Sequence, residues 1–212
     1  MALVASTTAA AEPDDFSRLP AEAKDMAGFV PAGWTLIKSA DGDLNKDGLA
    51  DVVGVLESKT EIPPDPAGDG PPRILFVAFQ KPGGGYRLAV QANRAILRSG
   101  EGGAFGDPFE LVKAERGSLH VSFYGGSSER WSNAYQFRFQ NGGWFLIGVT
   151  TQTSRTDGSD EGIFEDFNLL IGKMHRVTTD AKGKTRDKMI NRGKRKLVNL
   201  VNFEAAADEQ RF

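Results

Sequence analysis

The residues best placed for chemistry lie in GDLNKDGLAD, residues 42 to 51, where Asp43, Asn45, Asp47 and Asp51 surround Gly48. Oxygen donors at alternate positions of a tight loop are what a hard divalent cation such as calcium requires. Counting from Asp43, side chains stand at positions one, three and five, and Gly48 permits the sharp turn at six. Leu49 offers its carbonyl oxygen at seven, and Asp51 stands at nine. The spacing predicts a calcium site made by Asp43, Asn45, Asp47, Leu49 and Asp51. Position twelve departs from the helix-flanked calcium hand, which needs a bidentate glutamate there; this chain has Gly54, followed by more strand-like residues. The same residues also make a good metal-free Asx turn. All the donors come from one short segment, so an ion bound here would pin two consecutive strands together rather than catalyse.

A second segment, FYGGSSERWSNAY (123 to 135), joins two apolar runs through glycines and serines. It carries Tyr124, Glu129, Arg130, Trp131 and Tyr135. Aromatic and arginine side chains beside adaptable serines are the usual anchors of protein interfaces. The competing reading folds Trp131 back as a lid on the core and pairs Arg130 with a carboxylate. TSRTDGSDEG (153 to 162) is a second polar loop, either on the same rim or simply solvated.

Other chemistry finds little support. His120 and His175 both lie within strand-like runs. The chain has no G-x-S-x-G elbow, no H-E-x-x-H and no phosphate-cradling G-x-x-x-x-G-K-[ST]. GEGGAFGDPF (100 to 109) is glycine-rich but lacks the strand-to-helix setting of a dinucleotide loop. A carboxylate pair for glycoside hydrolysis needs no motif, and Asp107 with Glu110 is the best available. Without cysteine there is neither thiol catalysis nor a thiolate metal site. The net charge of -2 gives no general reason to bind nucleic acid, despite the basic run KGKTRDKMINRGKRK (182 to 196).

The elements that must position these residues are strands. Short apolar runs are punctuated by many of the 25 glycines. RILFVAFQ and YRLAVQAN flank KPGGG, FELVKAE and LHVSFY flank RGS, and AYQFRFQ and WFLIGVTTQT flank NGG. The last pair is the clearest hairpin: Tyr135, Phe137 and Phe139 alternate with polar residues, and Asn141-Gly142 tolerates positive φ at both turn positions. Further turns fall at Gly172 and Gly183. The chain reads as all-β, an antiparallel meander of hairpins, propeller-like or sandwich, with the calcium loop between two strands. Residues 1–28, small and apolar and then acidic, read as a disordered leader or the remnant of an export signal, and 29–212 as one domain. No stretch approaches the roughly 18 apolar residues of a membrane span. The tail from Asn191 reads as a last strand or short helix against the sheet edge.

The acidic loop resembles those that join strands in integrin-type repeats. Taken in order, GDLNKDGLADVVGVLE, RILFVAFQ, GGAFGDPFE, YGGSSERW and FNLLIGK resemble a family of small exported bacterial proteins, many of them lipoproteins with a calcium loop. The family includes periplasmic immunity proteins of bacteria-killing type IV secretion systems. The resemblance covers roughly residues 30 to 180. It implies a periplasmic, non-catalytic protein that binds a lysozyme-like peptidoglycan hydrolase and inserts a loop into its active site. The calcium ligands carry over as Asp43, Asn45, Asp47, Leu49 and Asp51. The inhibitory loop carries over as Gly125, Gly126, Ser127, Ser128, Glu129, Arg130 and Trp131 with Tyr135, flanked by Tyr124. Two departures stand out: the serine-glycine-x-x-tyrosine motif of other lysozyme inhibitors is not reproduced, and LVAS (3 to 6) has serine where a lipid-bearing cysteine would stand. The alternative reading is a calcium-dependent envelope or adhesion module.

Overall fold

A computed structural model describes residues 17–60 and 68–205. The leader up to Phe16, most of the proline-rich connection after Thr60 and the last seven residues lie outside the described residues. Five strands, β1 (Glu22–Ala23), β2 (Trp34–Gly42), β3 (Asp51–Ser58), β4 (Arg73–Gln80) and β5 (Tyr86–Ala92), form one antiparallel sheet in the order β1-β5-β4-β3-β2. Seven more form the second: β6 (Phe109–Glu115), β7 (Ser118–Gly126), β8 (Glu129–Gln140), β9 (Gly143–Arg155), β10 (Gly162–Asn168), β11 (Lys173–Thr179) and β12 (Thr185–Asn191). This sheet is a pure meander, each strand paired with its neighbours in sequence. The two sheets pack without closing into a barrel, so of the two architectures left open by the sequence the protein adopts the sandwich.

The turns form where their chemistry allows. Asn141 and Gly142 take φ of 50° and 73° between β8 and β9, and Arg116 and Gly117 take 52° and 72° between β6 and β7. Positive φ at both central residues is the turn whose twist matches the flanking strands.

The first sheet is covered on both faces, which is why β3 and β4 are buried almost without interruption. Val53, Val55, Leu75 and Val77 face the second sheet, where they meet Leu119, Val121, Phe123, Tyr135 and Phe137. Val52, Leu56, Ile74 and Phe76 face the other way, under Leu19, Phe29 and Trp34. Phe29 is fully buried 5.3 Å from Phe76, and the Trp34 indole N–H donates to Ser17 Oγ at 3.0 Å. Burying an aromatic of this size is worth about 2 kcal/mol. Residues 17–28, read from the sequence as leader, therefore belong to the domain: β1 pairs with β5, and the chain around it caps the outer face.

The tail closes the sandwich from another side. Val198 O accepts from Leu146 N at 2.9 Å, and Leu200 is wholly buried in a short 3₁₀ turn (Leu200–Asn202). Phe203 lies edge-on to Tyr135 and Phe137, at 4.8 and 5.0 Å between ring centroids.

Candidate functional site

The acidic loop joins β2 to β3, and its side chains hold its own backbone. Asp43 accepts from Asp47 N at 3.1 Å and Gly48 N at 3.0 Å through its two oxygens. Asn45 Oδ1 accepts from Asp47 N at 3.0 Å, and Asp47 Oδ1 from Leu49 N at 2.8 Å. Lys46 and Gly48 take φ of 67° and 85°, so the loop curls back twice within three residues. Leu44 is buried beneath it and ties it to the core.

Asp51 differs from the other acids. It is 0% exposed, and its Oδ2 accepts from Leu44 N at 2.9 Å and Asn45 N at 3.2 Å while Oδ1 accepts from Gln80 N at 3.0 Å. Burial pushes its carboxyl above the ordinary value; the three N–H donors oppose that rise, and the charge of Asp47 adds to it. Asp51 thus anchors the loop to β4.

The remaining donors, Asp43, Asn45, Asp47 and the Leu49 carbonyl, are all oxygens on one curled segment, a set whose chemistry fits a hard cation. Among the described residues no three carboxylates or imidazoles gather into one group, because Asp51 is turned to backbone and Asn45 is an amide. Asn45 Nδ2 donates to Asp47 Oδ2 at 2.9 Å, closing the loop on itself.

The second candidate is the β7–β8 hairpin, with Ser127 and Ser128 at its tip. Gly125 pairs with Trp131 and Gly126 with Arg130, and Ser127 N donates to Glu129 O at 2.9 Å. The segment 98–108 crosses one side of it: Gly126 N donates to Gly102 O at 2.9 Å and Ala104 N to Gly126 O at 3.0 Å. A Cβ at Gly125 would fall 2.5 Å from the Trp131 ring and 2.7 Å from Gly102 O, so glycine is required for this crossing. On the other side Ser128 O accepts from Thr156 N at 3.0 Å, placing the polar loop after β9 on the same rim.

Strand alternation divides the predicted interface residues between two faces. Trp131 and Tyr135 point inward. Tyr135 is 2% exposed and stacked in the core, and Trp131 is half-buried against the main core cluster. Tyr135 is therefore not available to a partner, and Trp131 follows the core-lid reading. Tyr124 and Arg130 point outward and meet Phe105, which the sequence did not single out. The Arg130 guanidinium lies 3.4 Å from the Phe105 ring centroid, and Phe105 lies 6.0 Å from Tyr124. Phe105 is 48% exposed and Tyr124 38%, so an aromatic pair with a cation over it faces solvent beside the exposed Ser127, Ser128 and Glu129. The one sign of Phe105 in the sequence was a large apolar residue among glycines.

The other candidates are engaged elsewhere. Burial alone would raise the Asp107 carboxyl, but the Arg73 guanidinium gripping it brings it below the ordinary value. Glu110 accepts from Ser122 Oγ at 3.4 Å. His120 on β7 and His175 on β11 are separated by three strands; burial lowers His120, and His175 Nε2 lies 2.9 Å from Asp187.

Compared with known proteins, the chain matches no family model, no curated protein and no solved structure. No helix among the described residues is long and apolar enough to cross a membrane.

Proposed function

We propose that this chain is a binding protein of the bacterial periplasm that blocks a lysozyme-like peptidoglycan hydrolase with its β7–β8 hairpin. The observation that carries this reading is the cluster of solvent-exposed Phe105 and Tyr124 with the half-buried Arg130, whose Nη1 is left without a hydrogen-bond partner among the described residues, beside a hairpin held from both sides. A preorganised aromatic and arginine patch loses little entropy on docking. The narrow Ser127–Ser128 tip enters the cleft, the aromatic rings occupy sugar-binding surface, and Arg130 engages a catalytic carboxylate. The resemblance of the segments around these residues to exported immunity proteins supplies the partner class. In the same proposal a calcium ion held by Asp43, Asn45, Asp47 and the Leu49 carbonyl would neutralise the clustered acids and fasten β2 to β3. Its role is structural.

The test is capture from periplasmic and secreted bacterial extract with the purified chain as bait and calcium present. Recovery of a peptidoglycan hydrolase at near-equal stoichiometry, its lytic activity suppressed, is the expected result. An extract rich in such hydrolases that yields none would remove the inhibitor reading. Binding to cell envelopes that calcium removal abolishes in the still-folded chain would establish the adhesion module instead.

A further inference from the structure

Strand β12 ends its sheet and hydrogen-bonds to β11 alone. The other sheet edges are shielded or short. Gly42 of β2 lies against Ala114 of β6, where a Cβ would stand 2.9 Å from the carbonyl oxygen, and β1 has two residues. β12 has seven, and six of them are exposed.

Its ladder has a defined phase. Asp180 N donates to Lys184 O and Arg192 N to Gly172 O, at either end of the β11–β12 pairing. In an antiparallel ladder the bonded residues alternate. Lys184, Arg186, Lys188 and Ile190 thus direct their backbone groups to β11, while Thr185, Asp187, Met189 and Asn191 direct theirs outward. An incoming strand would find a row of N–H and C=O groups, the template that sheet edges offer.

The side chains select what kind of strand fits. Lys182, Lys184, Arg186 and Lys188 form no ion pair among the described residues. Two acids close to them are engaged: Asp187 contacts His175, and Asp180 accepts from the backbone of Lys182 and Lys184. On the face carrying Arg186, a groove of about 330 Å³ lies beside the edge; Lys184 and Arg186 line its β12 side, and Glu129, Glu161 and Asp180 line it with Arg155, so the cationic surface is the strand edge itself. Met189, 67% exposed, marks the opposite face.

We propose that β12 docks an extended acidic segment of another protein by strand addition. Carboxylates two residues apart would stand opposite Arg186 and Lys188, and an apolar side chain opposite Met189. A second copy of this chain is a poor occupant, because antiparallel pairing centred on Asp187 sets Arg186 against Lys188. Like charges directly opposite each other are unfavourable.

The experiment is fluorescence anisotropy with a ten-residue peptide alternating glutamate and valine, against its lysine-for-glutamate counterpart. Saturable binding of the acidic peptide alone is expected. Arg186→Glu with Lys188→Glu should weaken it at least about tenfold. Met189→Pro removes an outward N–H and no β11–β12 bond, and should weaken binding by about as much. In the wild-type chain the Asp187 and Met189 amides should become protected from hydrogen exchange when the peptide binds. Absence of saturable binding overturns the proposal. So does binding that leaves those two amides unprotected, which would mark a loose attraction of charges. A dimer that Met189→Pro dissolves would assign the edge to a second copy and overturn it as well.

Discussion

Arg73 and Asp107, 34 residues apart in the chain, form a two-pronged ion pair: Nη1 donates to Oδ1 at 2.7 Å and Nη2 to Oδ2 at 2.6 Å. The same guanidinium donates to Glu57 on the neighbouring strand and to Leu97 O at 2.8 Å. Arg73 is 2% exposed, so this one cation fastens the segment carrying Gly102 and Phe105 to the first sheet. That segment braces the β7–β8 hairpin, and an ion pair anchored by a buried arginine thereby positions a surface cluster.

Arg73→Ala should cost about 1 to 3 kcal/mol in urea unfolding, because it leaves the buried Leu97 carbonyl and the part-buried Glu57 carboxylate without their donor. Asp107→Asn should cost less, about 1 kcal/mol, since the carboxylate is half-exposed and screened. Its folded pKa is depressed, so the pair's contribution is complete above the unfolded value of about 4 and is lost as pH falls through the lower folded value. Urea midpoints of the wild type and Asp107→Asn should differ at neutral pH and converge in acid. A gap that persists in acid, where the carboxylate is protonated in both states, would assign the effect to packing.

Gly54 stands where a helical calcium hand has its glutamate, and the fold explains the substitution. It pairs with Phe76 across β3 and β4, and a Cβ there would lie 2.3 Å from the Phe76 ring. Gly54→Ala should destabilise by about 1 to 3 kcal/mol through overpacking. Phe76→Leu, mildly destabilising alone, should recover part of that loss in the double variant. Additive losses would show that the ring is not the obstacle.

The hairpins were legible because each combines period-two alternation with its own turn residues, as in Tyr135 to Phe139 followed by Asn141-Gly142. Parity also held more than the loop reading took from it: counting from Phe137 already puts Tyr135 and Trp131 on the core face. Two features had no local signal. Residues 17–28 look like a polar leader, and only strands dozens of residues away turn Leu19, with Ala23 and Met26, into a cap. Phe105 gains its role from Arg130, and nothing in a glycine-rich stretch announces that meeting.

In the proposed calcium site the acidic loop separates into an anchor, Asp51, and the residues proposed as ligands. Asp51→Ala leaves the buried N–H of Leu44 and the part-buried N–H groups of Asn45 and Gln80 without their acceptor, and should cost about 3 kcal/mol with or without calcium. Asp43→Ala should act mainly through the ion. Calorimetry should show the wild type gaining thermal stability with added calcium, as binding linkage requires, and Asp43→Ala gaining none. If calcium leaves the wild-type midpoint unmoved, the loop is a metal-free Asx turn.

The hairpin divides the same way, into residues that hold it and residues proposed to bind. Trp131 packs on Gly125 and the core edge, so Trp131→Ala should lower stability by about 2 to 4 kcal/mol. Phe105 faces solvent, whereas Arg130 is half-buried, its Nη1 enclosed and without a hydrogen-bond partner among the described residues; the two meet through a cation–π contact, worth about 1 kcal/mol at such a site. Phe105→Ala and Arg130→Ala should therefore unfold within about 1 kcal/mol of the wild type, yet each should weaken hydrolase binding at least about tenfold. Arg130→Lys should recover little, because an ammonium cannot lie flat on the ring and present a planar fork to a carboxylate. Titration calorimetry with the captured hydrolase, alongside urea unfolding of each variant, separates the two roles. Unimpaired binding by Phe105→Ala and Arg130→Ala together would move the contact surface off this hairpin.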